Sequence, residues 1–335
     1  MAEATPQQRM MQMVAGYWTS QAIYAAAKLG IADLVTSGPK SAQELARSTA
    51  SKQDFLYRVL RALASVGIFS EDGQHRFANT PMSEALRAGV PGSQRPLVLM
   101  LGEEHYHVWG HMVDAIQTGD NAFEKLYGMP IFEFLEKNVE QGKNFDEAMT
   151  AIHGEETDAV LTTYDFSNIQ VLADVGGGNG GTIIGILKKY PKMKGILFDL
   201  PHVVERAKAP IAAAGLGDRC QVIGGDFFKS VPAGADAITM RHIIHDWDDE
   251  KSLTILKNCR AALPPAGKLL LVESVIPPGN GPFMAKFLDL TMMLIPGGKE
   301  RTEQEYAQLY RQAGFRLARI VRTNTEISVV EGAPQ

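Results

Sequence analysis

Two histidines three residues apart, His242 and His245, open the stretch of this sequence whose residue types are best suited to chemistry. An apolar run precedes them, and four of the five residues that follow His245 are acidic: Asp246, Asp248, Asp249 and Glu250. Such a group can be a metal site, it can contain a general base, or it can be a strand that runs into a capped helix. The choice depends on which other side chains reach the same place.

A glycine-rich segment, LADVGGGNGGT at residues 172–182, is the second chemical signal. It predicts a strand that ends at Val175 and turns into a helix, and glycines in such a turn let a ligand approach the backbone closely. Asp174, just before the glycines, is a poor neighbour for a diphosphate and a good one for a cationic group. The spacing is G-x-G-x-G and not the G-x-G-x-x-G of dinucleotide sites. Taken alone, the segment also fits a tight turn without a ligand.

Acidic residues at the ends of the next two strands favour the ligand interpretation. Asp199 ends the strand GILFDL, 23 residues after Gly176, where a carboxylate can bind ribose hydroxyls. Asp226 follows the third strand, and Phe227 beside it offers an aromatic contact to a base. Each acid taken singly could be a helix N-cap. Three acids at successive strand ends predict an adenosine-type ligand at the C-terminal edge of a parallel sheet.

The same edge of the sheet receives residues for proton transfer. His245 lies just past the strand ADAITM, the next strand delivers Glu273, and a glycine-rich loop brings Glu300. This set suits general-base catalysis, because a carboxylate can hold one ring nitrogen while the other accepts a proton. A metal is not expected, since no second ligand pair stands nearby at zinc-like spacing. We assign His242 to structure or pocket lining, and the acids within residues 246–250 to the start of a helix.

The first hundred residues predict helices followed by a hairpin. One helix begins at Ser41, with Glu44 three residues later as in a capping box, and a hairpin is expected around Asp72-Gly73. The helix between them is expected to bury one apolar face, made of Phe55, Val59, Leu60, Leu63 and Val66. Helix, helix and hairpin is the order of a winged helix.

The charge of this segment bears on whether the winged helix binds DNA. Residues 41–80 carry five basic and four acidic residues, a net charge of +1, which is too weak a basic face for a DNA reader. The whole chain has 38 acids against 33 bases, a net charge of -5, so general affinity for polyanions is not expected either. A structural or dimerising use of the winged helix is the better interpretation.

From about residue 170 the sequence alternates short aliphatic runs with amphipathic stretches, and this rhythm predicts a parallel sheet covered by helices. The last two runs, RLARIVRT and EISVVEGA, predict an antiparallel closing pair. The chain has 335 residues, and two domains are expected: 1–105 and 106–335, with 106–165 as a helical pocket segment.

Localisation follows from what the sequence does not contain. No apolar run is long enough to span a bilayer, and the two cysteines, Cys220 and Cys259, stand far apart. We expect a soluble, reducing, cytoplasmic setting, with no membrane and no nucleic-acid partner.

Seven motifs, taken together, resemble the S-adenosylmethionine-dependent small-molecule O-methyltransferases, the caffeic acid and acetylserotonin O-methyltransferase-like family with its bacterial phenazine and polyketide-tailoring relatives. They stand in that family's order and spacing: DVGGGNG, FDLPHV, GGDFF, HDWDDE, LKNCRAAL, VES and PGGKERT. The resemblance covers nearly the whole chain. It implies a Rossmann-like class I methyltransferase sheet, parallel with an antiparallel closing strand, plus an N-terminal helical winged-helix dimerisation domain. It further implies a homodimer that methylates a hydroxyl, phenolic in character, of a small aromatic secondary metabolite.

The resemblance also implies roles for individual residues. His245 is the expected catalytic base, flanked and oriented by Glu273 and Glu300. Contacts with S-adenosyl-L-methionine, and with the product S-adenosyl-L-homocysteine, are expected from Asp174, Gly176, Gly177, Gly178, Asp199, Leu200, Asp226, Phe227 and Arg241. Contacts with the aromatic substrate are expected from Trp109, Phe145, Met149, His153, Asp246, Met292 and Met293. No metal is implied.

Three other functions stay open at this point. The same cofactor site could serve N-methylation or hydroxylation, although an intact set of His245, Glu273 and Glu300 favours O-methylation. A DNA-binding regulator is disfavoured by the charge of residues 41–80. A nicotinamide dehydrogenase is disfavoured by Asp174 and by the acids of the second and third strands.

Overall fold

The computed structural model describes residues 4–335, except for the side chains of residues 152–155. The chain divides into two units, each with its own hydrophobic core. The first comprises the residues up to Gly110 together with Leu135–Ala151, and the second comprises His111–Phe134 together with Ile152–Gln335.

The first unit begins as a set of helices with a small three-stranded sheet. Its elements are α1 (Pro6–Val14), α2 (Gly16–Lys28), α3 (Ile31–Leu34), β1 (Lys40–Ser41), α4 (Ala42–Ser48), α5 (Gln53–Ser65), β2 (Phe69–Glu71), β3 (Arg76–Asn79), α6 (Pro81–Glu84), α7 (Arg95–Gly102) and α8 (Glu104–Trp109). Strands β2 and β3 form the predicted hairpin, and β1 pairs with β3. The predicted capping box of α4 is present: Ser41 accepts from the Glu44 amide, and the Glu44 side chain accepts from the Ser41 amide.

Helix α5 buries part of the expected face, with Leu60 and Leu63 as predicted. Leu56, Leu60 and Leu63 are buried, at the i, i+4, i+7 spacing of a helix face. Phe55 and Val66, which were expected on the buried face, are 69% and 53% exposed. The prediction is therefore confirmed for Leu60 and Leu63 and wrong for Phe55 and Val66. Leu56 and Phe55 are adjacent and both apolar, and only packing decides which of them is buried.

Four helices connect the N-terminal elements to the large sheet: α9 (Met112–Thr118), α10 (Ala122–Tyr127), α11 (Ile131–Lys137) and α12 (Val139–Thr163). The remaining elements are β4 (Val171–Val175), α13 (Gly181–Lys189), β5 (Lys194–Asp199), α14 (Pro201–Ala213), β6 (Cys220–Gly224), β7 (Ala237–Arg241), a 3-10 turn (Ile244–Asp246), α15 (Asp249–Ala262), β8 (Lys268–Ile276), α16 (Ala285–Leu294), β9 (Arg301–Thr302), α17 (Glu303–Gln312), β10 (Phe315–Arg322) and β11 (Ile327–Pro334).

The sheet of the second unit has the strand order β10-β11-β8-β7-β4-β5-β6, with β9 paired to β8. Strands β4 to β8 pair in parallel, and β10 and β11 close the sheet in antiparallel fashion. The predicted fold class is therefore confirmed. Two apolar clusters cover the two faces of the sheet, because strands buried on both sides need helices on both sides. Among the described residues, no helix is both long enough and apolar enough to cross a bilayer.

The α5 face yields a direct test of the first unit's core. Leu60→Ala should lower the free energy of unfolding by about 2–5 kcal/mol, because it removes a fully buried side chain and leaves a cavity. Phe55→Ala on the same helix should change it by less than about 0.5 kcal/mol, since Phe55 is exposed. Urea unfolding followed by circular dichroism measures both values. Equal losses for the two variants would contradict this assignment of the buried face.

Candidate active site

The parallel strands deliver chemically active side chains to one edge of the sheet. Asp174 lies in β4, Asp199 ends β5, Arg241 ends β7 and Glu273 lies in β8. Strand β4 lies between β5 and β7, so the chain changes direction across the sheet there. Open α/β sheets bind their ligands at this switch point, beyond the carboxyl ends of the strands.

The glycine turn after β4 forms a close-packed cradle. A Cβ on Gly176, whose φ is 73°, would overlap the side chain of Ile243, and a Cβ on Gly177 would overlap Leu197 and the Asp174 carboxylate. Gly178 differs, because a Cβ there would meet nothing within 4 Å. The turn is therefore packed against protein on one side and presents backbone to open space at Gly178, as a ligand-binding turn requires.

Asp174 is a buried carboxylate with incomplete compensation. It is 2% exposed, and its Oδ2 has no hydrogen-bond partner among the described residues. Burial raises its pKa to about 6, although Arg241 and a backbone hydrogen bond from Ile183 oppose the shift. The Arg241 guanidinium donates to Thr157 Oγ1 at 2.7 Å. A carboxylate in this condition favours a cationic group as its neighbour.

Asp199 and Leu200 form the turn after β5. The Asp199 carboxylate accepts the Gly178 amide at 2.9 Å and the Leu200 amide at 2.7 Å, so it is tied to the glycine cradle. Burial raises the pKa of Asp199, against these two hydrogen bonds. Its carboxylate thus lies beside the glycine cradle, and its contact with ribose stays a prediction.

Asp226 and Phe227 lie beyond the end of β6. Asp226 Oδ1 accepts the Phe228 amide at 2.9 Å, so its carboxylate also orders its own turn, the alternative use noted for such acids. The Phe227 ring makes edge contacts with Phe228 and with Trp247, at centroid distances of 5.0 and 6.3 Å. The aromatic group thus reaches from the end of β6 to the loop that carries His245.

His245 is buried and held by a carboxylate. Its Nδ1 lies 2.7 Å from Glu300 Oε1, and the residue is 6% exposed. The contact places the ring hydrogen on Nδ1, where it is donated to Glu300, so the neutral ring presents Nε2 as the acceptor. Of the predicted catalytic groups, the structure brings His245, Glu273 and Glu300 together, although Glu300 lies 55 positions away in the sequence.

Glu273 combines a structural bond with an open oxygen. Its Oε1 accepts the amides of Ile243 and Ile244, at 3.2 and 2.9 Å, and thereby fixes the chain just before His245. Its Oε2 lies 3.8 Å from His245 Nδ1 and has no hydrogen-bond partner among the described residues. Burial raises the pKa of this carboxyl.

The carboxylates around His245 decide its charge. Burial is the largest influence and lowers the pKa of His245, but Glu300, Glu273 and Asp246 together outweigh it and raise the pKa to about 10. Proton release from His245 therefore requires either a higher pH or a second cation near the ring.

Asp246 does not belong to the helix start, and that interpretation was wrong. It lies in the 3-10 turn, with Oδ1 3.5 Å from His245 Nε2, and burial raises its pKa to about 6. The helix α15 begins later: Asp248 is its N-cap and accepts the Lys251 amide at 2.8 Å, and Asp249 and Glu250 stand in its first turn as expected. Trp247, between Asp246 and Asp248, is extended, with φ -123° and ψ 146°, and this separates the 3-10 turn from the helix.

His242 lies beside His245, and its assignment to structure or pocket lining stays a prediction. Its Nε2 contacts Glu156 Oε2 at 2.9 Å, and its ring centroid is 5.0 Å from that of His245. Its φ of 51° is unusual for a non-glycine residue. Glu156 was missed altogether, since an acid on a helix 86 positions away carries no local signal.

The predicted substrate residues are spread over the chain. Trp109, Phe145 and Met149 belong to the first unit, and each is half-buried. Met292 and Met293 lie on α16 of the second unit and are 9% and 38% exposed. The side chain of His153 lies outside the described residues. Their contacts with substrate stay predictions.

A metal could reach only one group of side chains in the described part of the chain. His242, His245 and Glu273 each offer one ligand atom, and these atoms lie within 4.8 Å of one another. The nitrogen of His245 that faces Glu273 is the one that Glu300 binds at 2.7 Å. The arrangement serves a carboxylate-held histidine better than an open metal site.

Two family models match the chain over most of its length. The O-methyltransferase domain matches residues 109–316, and the O-methyltransferase dimerisation domain matches residues 11–89. The chain belongs to the O-methyltransferase family. The predicted resemblance is thereby confirmed, and the glycine cradle and His245 lie within the segment that the first model matches.

Similar proteins share nearly the full length of this methyltransferase. The phenazine O-methyltransferase PhzM of Lysobacter antibioticus is 45% identical, over 97% of this chain and 95% of that protein. The crystal structure of LaPhzM superposes with a TM-score of 0.95 at 44% identity, covering 99% and 100% of the two chains. An O-methyltransferase of neocarzinostatin biosynthesis, solved with S-adenosylmethionine and 2-hydroxy-5-methyl naphthoic acid, superposes with a TM-score of 0.85 at 30% identity, covering 95% and 96%.

The electrostatics of this O-methyltransferase site predict the effect of Glu300→Gln. The amide can still accept the Nδ1 hydrogen, but the charge that most strongly raises the pKa of His245 is removed. The pKa of His245 should fall, so the neutral ring should persist to lower pH. NMR titration of the His245 ring in the cofactor-free protein measures this. Glu303→Gln, an exposed position on α17, is the matched control and should leave the titration unchanged; an upward shift in Glu300→Gln would refute the argument.

Proposed function

We propose that this protein transfers a methyl group from S-adenosylmethionine to a hydroxyl, phenolic in character, of a small aromatic secondary metabolite. The observation that carries the proposal is the buried His245, whose Nδ1 is held at 2.7 Å by Glu300 beside the glycine cradle. Family membership supplies the reaction class, and the ring supplies the base.

The residues of the sheet edge fit the cofactor. The cradle leaves backbone open at Gly178, Asp199 stands beside it for a ribose, and Phe227 stands beyond β6 for an adenine. The unpartnered oxygen of Asp174 marks a carboxylate short of positive charge, which the amino group or sulfonium of this cofactor provides. We assign the cofactor-binding roles of Leu200, Asp226 and Arg241 on the same basis, from their place at this edge.

The cofactor supplies an electrophilic methyl group on a sulfonium. The acceptor must then present an oxygen nucleophile, and a phenol with a pKa of about 10 costs about 4 kcal/mol to ionise at pH 7. His245 Nε2 removes that proton as the oxygen attacks, while Glu300 keeps the ring in the tautomer that leaves Nε2 open. The pKa of His245 is expected to fall when a sulfonium is bound nearby, because like charges disfavour the imidazolium. The base thus becomes competent when the methyl donor is in place.

The acceptor is held by residues that combine aromatic, sulfur and carboxylate groups. We propose Trp109, Phe145, Met149, His153, Met292 and Met293 as the apolar and aromatic walls, with Asp246 beside the reacting oxygen. Asp246 Oδ1 lies 3.5 Å from His245 Nε2, the atom that receives the proton, which supports its contact with the acceptor. Apolar walls exclude water and hold the oxygen in line with the methyl group.

Replacement of the base tests the proposal. His245→Ala should reduce methyl transfer by about 100- to 10,000-fold, the usual contribution of a general base, while S-adenosylhomocysteine still raises the melting temperature as in the wild type. Transfer from labelled S-adenosylmethionine is measured over a panel of phenols, flavonoids, hydroxyphenazines and quinones, with and without EDTA. The metal-independent mechanism predicts the same rate of methyl transfer with EDTA as without it.

The panel also separates the competing functions. A product that gains one methyl group on oxygen supports the proposal, and methylation of nitrogen or a hydroxylated product contradicts it. Turnover that survives in His245→Ala would remove His245 as the base, and loss of rate in EDTA would contradict the metal-independent mechanism.

We further propose that the enzyme is a homodimer built through residues 1–105 as a dimerisation domain. The match to the dimerisation model supports this, and so does the surface of α1 and α2, which exposes large apolar groups: Met10, Met11, Met13, Val14, Tyr17 and Trp18. A monomer rarely leaves so many apolar groups together in water. A second copy of the chain is the partner proposed to cover this surface.

A cytoplasmic setting is proposed as well, supported by two cysteines that are both free and buried.

Charge on this surface should separate the protomers. Met13 and Trp18 are 73% and 63% exposed, so Met13→Glu combined with Trp18→Glu leaves the described core intact but places two charges in the proposed interface. Sedimentation velocity should show the wild type as a dimer and this variant as a monomer. Gln74→Glu, an exposed hairpin position of the same unit, is the control and should stay dimeric. A double variant that remains fully dimeric would place the interface elsewhere.

A further inference from the structure

Two loops meet at the catalytic base. The base loop, residues 242–249, carries His245, and the glutamate loop, residues 296–302, carries Glu300. Their backbones touch at Gly298, where a Cβ would overlap the carbonyl of His245 and the amide of Trp247. Only glycine permits this approach, so the distance between base and carboxylate is set by direct contact of the two chains.

Arg301 joins the two loops through its whole side chain. It is 0% exposed. Its Nη1 donates to the Ile244 carbonyl at 2.9 Å, and its Nη2 donates to the Trp247 carbonyl at 2.9 Å. These two carbonyls flank His245 on either side in the sequence. The guanidinium therefore hydrogen-bonds to the backbone of the base loop on both sides of His245.

The remaining donors of Arg301 are satisfied as well. Nε and Nη2 both reach Asp249 Oδ1, at 3.1 and 2.8 Å, which neutralises the buried charge. Nη2 also contacts Ser252 Oγ at 3.2 Å, and Nη1 contacts the Lys299 carbonyl at 3.2 Å. Apart from the Lys299 carbonyl, all of these acceptors belong to the base loop or to the helix α15 that follows it.

The backbone of Arg301 is fixed by the sheet. In β9 it pairs with Val275 of β8, the strand that also carries Glu273. Glu300, one residue earlier, donates its amide to Asp289 Oδ1 at 2.8 Å. The guanidinium thus extends from a point that is rigid with respect to both catalytic carboxylates.

We propose that Arg301 is a positioning residue: by clasping the base loop it holds His245 at hydrogen-bond distance from Glu300. This inference rests on the proposed function only for its effect on turnover, since the geometry of the His245–Glu300 pair can be measured without turnover. Arginine is required because its planar fork reaches several acceptors at once, which the single ammonium of lysine cannot do.

The principal variant is Arg301→Lys, which keeps the charge and loses the fork. With the clasp gone, Glu300 should move away from His245 Nδ1, and the pKa of His245 should fall, as is also expected for Glu300→Gln. Methyl transfer should lose about 10- to 100-fold in kcat, the cost of a misplacement of about 1 Å, with little change in the KM for the cofactor. If Arg301 only stabilised the fold, Arg301→Lys would not shift the pKa of His245.

Arg219→Lys is the matched control. Arg219 also binds backbone carbonyls with its fork, those of Leu187 and Met193 at 3.1 and 3.0 Å, but it lies just before β6, at the opposite end of the strands. This variant should lower the melting temperature without shifting the pKa of His245. If the pKa of His245 shifted equally in both lysine variants, the effect of Arg301 would be one of general packing, and the proposal would be overturned.

A double-mutant cycle shows whether Arg301 acts through Glu300. In a Glu300→Gln background, Arg301→Lys should cost far less in kcat than it costs alone, because the bond that it positions is already altered. Additive losses would contradict the proposal. If Arg301→Lys does not fold, Asp249→Asn serves in its place, because Asp249 is half-exposed and its carboxylate accepts two of the bonds that hold the guanidinium.

The NMR titration of cofactor-free protein keeps this inference separate from the proposed function. A wild type without methyl transfer but with a His245 pKa that depends on Arg301 refutes the function and supports the clasp. A wild type with methyl transfer and with a His245 titration that Arg301→Lys leaves unchanged refutes the clasp and leaves the function in place.

Discussion

A buried histidine bonded to a buried glutamate is the constraint that the rest of this site depends on. The Nδ1 of His245 and the Oε1 of Glu300 are 2.7 Å apart, and both residues are almost wholly out of water. Such a pair is stable only when the surroundings supply the interactions that water would have supplied. Glu273 fixes the chain before His245, and Arg301 fixes it on both sides. The glycine at 298 lets the two loops touch. Each of these features makes sense as support for one hydrogen bond.

The site as a whole is short of positive charge. Burial raises the pKa of Asp174 and of Asp246 to about 6, and carboxylates raise the pKa of His245 to about 10. All three shifts have the same consequence, that a cation bound at this edge of the sheet stabilises the ionised carboxylates and weakens the hold of His245 on its proton. A sulfonium cofactor has this charge before transfer and loses it with the methyl group. The electrostatics thus favour binding of the sulfonium form, and in the proposed mechanism the same charge lowers the pKa of His245.

The sheet explains why residues so far apart in sequence act together. Parallel strands place their carboxyl ends side by side, so residues that end successive strands become neighbours whatever the length of the helices between them. Asp174, Asp199, Arg241 and Glu273 all arrive at the edge in this way. Glu300 arrives differently, through a loop that β9 anchors to β8. Because the strands are buried on both faces, this edge is rigid, and rigidity is what in-line transfer needs.

The sequence by itself determined the parts that depend on local pattern. The alternation after residue 170, the glycine turn, the acids at strand ends and the histidine followed by a helix start were all readable, because strand period, turn chemistry and capping act over a few residues. It could not show that α5 buries Leu56 and exposes Phe55, place Asp246 outside the helix, or connect His242 to Glu156. It also gave no sign that Arg301 clasps the base loop. The His242–Glu156 and Arg301–Ile244 contacts join groups 86 and 57 positions apart, and only the packed tertiary structure brings such groups together. Distance in space is set there by the sheet and not by the chain, and the burial of Leu56 in the first unit is likewise decided by packing.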